Sequence, residues 1–321
     1  MSTLHRWQIS AAALIAATLM AGCGGGGGGN YGGGSVVNPS PDPTPITPVE
    51  PGSPPQTNNV ATDGANWINF RRMQIGIPVL ARSGLIDSAA QNHSDYQRIN
   101  NLVTHDEIAG RSGFTGVTLL ARLNHVGYTF TGGYAYGEVI SASNSSSGSY
   151  LAEELITAIY HRFVIFEPRF KEIGAGSAAN GSYNYLTINF TANNGYGIGL
   201  GSGQLVTWPV NNAVGVTRNF MSDFESPDPV AGLNEVGYPV SVHADIDANL
   251  VVTSFTMKPR GGSDLNVKLL ATSAGDIHTP DSAAAIVPLA KLAASTIYDV
   301  SFAGTSDGIP VSKTWSFTTK P

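Results

Sequence analysis

Residues 150–190 read YLAEELITAIYHRFVIFEPRFKEIGAGSAANGSYNYLTINF. Leu151, Leu155 and Ile159 recur at helical spacing, which predicts a helix over residues 150–163. Two extended runs follow, FKEIGAGSA (170–178) and YNYLTINF (183–190). Asn180-Gly181 between them is the pair that a tight hairpin turn favours, because both positions tolerate positive φ. A helix running into a hairpin, rather than alternating βα units, predicts an α+β domain.

Upstream, residues 62–76 (TDGANWINFRRMQIG) predict a helix capped by Asp63 and ended by Gly76, with Trp67, Phe70 and Met73 near one face. Residues 83–103 predict a second, with Leu85, Ala89, Asn92, His93 and Tyr96 along one side. A loop with His105, a short helix over 118–126 stopped by Gly127, and a strand over 134–143 complete this part. The Ser-rich run 141–149 reads as a mobile loop. Downstream, from about Gln204 to Pro321, the texture changes. YPVSV, LVVTSFTM, LNVKLLA, AAIVPL, IYDVSFAG and KTWSFTT are short apolar alternations punctuated by Gly, Pro, Asp and Ser, the pattern of a β-sandwich.

The other end of the chain is not globular. Residues 9–20 are apolar but short for a bilayer span, and they end in LMAGC. Cys23 is the sole cysteine, so no internal disulfide is available. Residues 24–60 are Gly-rich, then Pro-rich, and bury no core; they read as a stalk. The expected organisation is a signal peptide (1–22), Cys23 and stalk (23–60), an α+β domain (61–203) and a β-sandwich (204–321). With 17 basic and 23 acidic residues the net charge is -6, and no basic patch suits nucleic acid.

Three resemblances add to this reading. LMAGC is similar to a bacterial lipobox, which implies lipidation of Cys23 and a bilayer as partner; Gly24 in the next position implies the outer membrane. LAASTIYDVSFAG followed by KTWSFTT resembles the end of bacterial immunoglobulin-like domains, with Tyr298 in the place of a tyrosine-corner residue. Six segments in order resemble the CAP superfamily of cysteine-rich secretory, antigen 5 and pathogenesis-related 1 proteins: INFRRMQIGIPVL, AAQNHSDY, THDE, ARLNHVGY, YGEVI and YHRFVIFEPRFKEIGAG. That resemblance implies an α-β-α sandwich with a cleft lined by His105, Glu138 and His161. The family often has a second Glu three residues before the last His. Ala158 stands there, and Glu154 lies two turns away from His161.

Two imidazoles and a carboxylate suit Zn2+ or another divalent ion with open coordination positions, or a proton-exchanging cluster. They equally suit a hydrogen-bonded cluster holding helices to the sheet. His93 reads as a satisfied core histidine and His125 as surface; His243 and His278 have no evident partner, and Arg122 and Arg162 either pair with acids or face solvent. The Ser-rich run holds no Gly-x-Ser-x-Gly elbow and no phosphate loop occurs, and no catalytic residue is assigned. The expected function is a cell-envelope lipoprotein whose CAP-type domain binds an extracytoplasmic ligand (lipid, protein or envelope polymer) without catalysis. The alternative is a metal-dependent hydrolase of peptides or envelope polymers.

Overall fold

The structure is a computed structural model that describes residues 50–321. The expected signal peptide, Cys23 and most of the stalk lie outside the described residues. Helix α1 spans Val60–Ile75 and is capped by Asn59, whose side chain accepts from the Thr62 amide. The cap therefore sits one turn earlier than Asp63. Asp63 instead accepts from the amide and hydroxyl of Thr57, which fixes the chain entering the helix. Met73 is exposed, whereas Arg72 points inward and is fully buried. Its guanidinium donates to the carbonyls of Pro78, Ile165 and Glu167, so a cation takes a place that apolar periodicity alone would not give it.

Strand β1 (Ala81–Arg82), α2 (Gly84–Asn100), α3 (Leu119–His125) and β2 (Ala135–Ser143) follow. Next come α4 (Gly148–Thr157), α5 (Ile159–Ile165), β3 (Glu172–Asn180) and β4 (Tyr183–Ala192). The sheet order is β1-β3-β4-β2, with the β3–β4 hairpin closing where expected, at Gly181 with φ +61. β4 is buried along almost its whole length because both faces are covered, by α2 on one side and by α1 on the other. The Gly-Ala-Gly of β3 permits this. A Cβ on Gly174 or Gly176 would overlap the backbone of α2 at Ile86 or Gln91. The Ser-rich run is a loop only in its middle, since residues 141–143 end β2, Ser147 caps α4, and Gly148 and Ser149 are buried within that helix.

The helix expected over 150–163 is two helices. At Ala158 the backbone turns extended (φ -68, ψ 119), ending α4 and starting α5. The break is held from both sides. Arg162 donates to the Ile156 and Thr157 carbonyls that α4 leaves unpaired. The Glu225 carboxylate accepts from the Ile159, Tyr160 and His161 amides that open α5.

The C-terminal part contains β5 (Val206–Trp208), β6 (Ala213–Val216), β7 (Asn219–Met221), β8 (Glu235–Gly237), β9 (Val240–His243) and β10 (Leu250–Pro259). It continues with β11 (Val267–Leu270), β12 (Ala283–Pro288), β13 (Ile297–Ser306) and β14 (Ile309–Thr319). Two four-stranded sheets, β10-β13-β14-β6 and β11-β12-β9-β5, enclose a core that includes Phe255, Met257, Val300, Phe302, Trp315 and Phe317. The Tyr298 hydroxyl accepts from the Ala293 amide at 2.9 Å.

β12 is buried at every position. Its other side, with Ala283, Ala285 and Val287, packs on Ile159, Tyr160 and Phe163 of α5. The α/β layer and the sandwich thus share apolar surface. Phe166 meets Trp208 at 5.2 Å, and Arg71 lies over the Trp67 and Trp208 rings.

His243, which has no evident partner in the sequence, is buried at this junction, bonded to Ser241 and edge-on to Phe163 and Phe166. His278 lies edge-on to Tyr160. Burial, with Arg162 nearby, pushes the His243 imidazole down to about 3. The unfolded chain therefore binds this proton first on acidification. The stability that neutral His243 contributes is complete above its ordinary value of about 6.5 and is lost as pH falls towards 3. Denaturant titrations of wild type and His243→Gln between pH 7 and 4 are expected to show a steeper loss of stability in wild type.

Candidate functional site

Among the expected site residues, the structure brings His105 and Glu138 together. Glu138 lies on β2 opposite Asn189 of β4, with its side chain on the α2 face of the sheet. Gly137, one residue earlier, faces the other way: a Cβ there would meet Val164 of α5 at 2.6 Å. His105 Nδ1 lies 2.9 Å from Glu138 Oε1. Arg122 of α3 completes the group. Its Nη2 donates to both Glu138 oxygens at 2.8 Å, and its Nη1 donates to the His105 carbonyl at 2.7 Å. Arg122 is fully buried, and His105 and Glu138 are 9% and 8% exposed.

Burial by itself would raise the Glu138 carboxyl. The Arg122 guanidinium, with His93 and His105 close by, outweighs it and holds the carboxyl far below the usual carboxylate range. Glu138 is thus an ionised acceptor tied to a cation.

A second pair sits beside it. His93 of α2 engages Glu107 at 2.9 Å through Nδ1 and the Thr104 carbonyl through Nε2, as expected of a satisfied core histidine. Glu107 also accepts from the Thr115 and Gly116 amides, which closes the loop from His105 to Thr118. Burial raises the Glu107 carboxyl, and His93 with the two amides more than offsets this, leaving it lowered. Glu107 lies in THDE, two residues after His105, so its proximity was legible; its pairing with His93 across the α2–loop turn was not.

His161 is 1% exposed and its Nδ1 lies 3.1 Å from Glu225 Oε1. That partner comes from the C-terminal part, 64 residues on, and no sequence spacing signals it. Arg162 next to it donates to the Pro239 carbonyl at 2.7 Å and lies over the Tyr238 ring. Glu154 is exposed on α4, and His125 is exposed. Among the described residues, no group of three or more His, Cys, Asp and Glu side chains is set to hold a metal ion. At Glu138 the guanidinium already supplies the positive charge that a metal ion would bring.

No protein-family model matches the chain, and no curated protein matches it. Solved structures are similar to part of it, among them three bacterial proteins. One is an extracellular protein containing an SCP domain from Bacillus anthracis, 25% identical, covering 43% of this chain and 44% of that one with a TM-score of 0.36. Another is an outer surface protein of Borrelia burgdorferi, 12% identical, covering 40% of this chain and 89% of that one with a TM-score of 0.34. The third is a cysteine-rich secretory protein of Staphylococcus aureus, 15% identical, covering 43% and 40% with a TM-score of 0.32. The chain spans less than half the length of the Bacillus and Staphylococcus proteins.

Removing one partner of a buried pair strands the other. Glu138→Gln leaves the Arg122 guanidinium buried without its counter-charge and is expected to cost about 3–5 kcal/mol. The double replacement Arg122→Met/Glu138→Leu should recover most of that loss, as read by chemical denaturation.

Proposed function

We propose that this chain is a cell-envelope lipoprotein anchored through Cys23, whose α/β layer is a CAP-type module that binds an extracytoplasmic ligand without catalysing a reaction. The ligand class is a lipid, a protein or an envelope polymer, and the sandwich is an immunoglobulin-like domain packed on that module. The six CAP-like segments support the module reading by where they fall. They occupy the end of α1, the middle of α2, the His105 loop, the end of α3, β2, and α5 with β3. The Tyr298 hydroxyl bond back to Ala293 supports the immunoglobulin-like reading. Among the described residues no helix is long and apolar enough to cross a membrane.

The observation that carries the non-catalytic reading is the grip of Arg122 on both oxygens of Glu138. A general base must exchange protons in its working pH range. A carboxylate held this low does not. A Zn2+ ion bound by His105, Glu138 and His161 would have to draw Glu138 from Arg122, and the gain would be set against a stranded guanidinium. Calorimetric titration of the full chain with Zn2+ above the imidazole pKa is expected to show weak uptake at most. Stoichiometric binding at micromolar Zn2+, lost in His161→Ala and accompanied by metal-dependent cleavage of a peptide or envelope polymer, would replace this reading with the hydrolase.

Anchoring has its own test. Three acyl chains would each bury many methylenes at about 0.8 kcal/mol apiece, enough for permanent attachment. Cys23→Ser is expected to move the protein from the membrane fraction to the soluble fraction or to leave an uncleaved precursor. Unchanged membrane association would count against lipidation.

A further inference from the structure

We infer that Glu225, in the β7–β8 connection of the C-terminal domain, is the positioning residue of His161, so that this domain forms part of the His161 site and is not a spacer. Its bearing on ligand binding rests on the reading above that the CAP-type module binds the ligand, here taken to be at the cleft that the resemblance lines with His161.

Glu225 follows a short 3-10 turn, Ser222–Phe224, and its side chain is fully buried. Oε2 accepts from the Ile159 amide at 2.9 Å; Oε1 accepts from the Tyr160 and His161 amides at 2.7 and 3.2 Å and lies 3.1 Å from His161 Nδ1. An ionised carboxylate only accepts hydrogen bonds, so the ring nitrogen facing it carries the proton. In the neutral ring this leaves Nε2 as the lone-pair nitrogen, with the imidazole plane set by a group that also holds the first turn of its helix. Carboxylates behind ligand-bearing histidines act in this way, fixing tautomer and orientation together.

The place Glu225 reaches is informative. The CAP resemblance assigns a second acid to position 158, where this chain has Ala, and Glu154 is exposed on a helix that has already ended. The acid that meets His161 enters from the other half of the chain, through the break that Ala158 opens. The entry is rigid. Phe220, Val230 and Val236, which flank Glu225 in sequence, pack with Ile159, Tyr160 and Phe163. The Tyr160 hydroxyl donates to Asp276 at 3.1 Å, and Arg162 reaches the Pro239 carbonyl.

The test uses the full chain labelled with 15N-histidine. Long-range 1H–15N spectra, with His161 assigned by its loss in His161→Gln, report which ring nitrogen is protonated. Wild type is expected to show His161 protonated at Nδ1. In Glu225→Ala this preference should disappear, with the two nitrogen shifts moving towards those of an unconstrained histidine. Tyr160→Phe removes another bond across the same junction and is expected to lower the melting temperature while leaving the His161 nitrogens unchanged. A wild-type ring protonated only at Nε2 overturns the inference, and this spectrum decides the matter even where Glu225→Ala does not fold. So does a Tyr160→Phe spectrum shifted as far as that of Glu225→Ala, because His161 would then be reporting general loosening. Mass spectrometry of ligand carried by the protein from its own envelope separates the two claims. A tautomer set by Glu225 with captured ligand unaltered in Glu225→Ala leaves the inference standing and removes the ligand-site reading.

Discussion

The arrangement turns on one backbone break. At Ala158 a helix stops and restarts, exposing carbonyls on one side and amides on the other. Buried backbone groups without partners are expensive, so such a break persists only where the surroundings satisfy it. Arg162 answers the carbonyls and Glu225 the amides. Both are charged, both are buried, and they bring the α/β layer and the sandwich to the same few atoms. The apolar contact of α5 with β12 then has a fixed register, because the polar groups at its end admit one placement.

A second feature repeats the principle on the far face of the sheet. There the layer beneath α2 is polar: Glu138 with Arg122 and His105, Glu107 with His93, and Ser94 and Gln97 on Thr187. Buried ion pairs of this kind add little net stability against an apolar core, yet they penalise any misplacement heavily. Their effect is to fix where the His105 loop and α3 sit. The site-like cluster and the framework of this module are therefore the same atoms, which is why residue type and spacing alone leave the roles of His105, Glu138 and His161 open.

What the sequence made legible follows from range. The hairpin turn at Gly181 and the six short strands depend on neighbours a few residues apart, and they could be read directly; α2 was legible as a helix, but its buried face carries Ile86 where Leu85 was expected, and Leu85 is exposed. The continuous apolar run of β12 signalled a strand but not the α5 layer that buries its second face. Inward arginines could not be assigned, because Arg122 and Arg162 read equally as paired with acids or facing solvent until the carbonyls and carboxylates that receive them are placed, and Arg72 carried no signal. The helix over 150–163 failed for the same reason. Its apolar spacing continues through Ala158, and the residue that makes a break tolerable lies far downstream. Pairing of His105 with Glu138 was foreshadowed by their separate motifs, whereas Glu225 had no motif to mark it.

The distance in sequence between His161 and Glu225 also orders events in time. A chain that leaves a ribosome or crosses a membrane from its N-terminus presents α5 well before the segment that satisfies it. During that interval the amides of Ile159, Tyr160 and His161 have only water, and the apolar side of α5 has no β12 to cover it. The α/β layer is thus completed late, by the second half of the chain, and the apolar side of α5 stays uncovered in the meantime. Truncation anywhere between α5 and β12 would leave that surface permanently open.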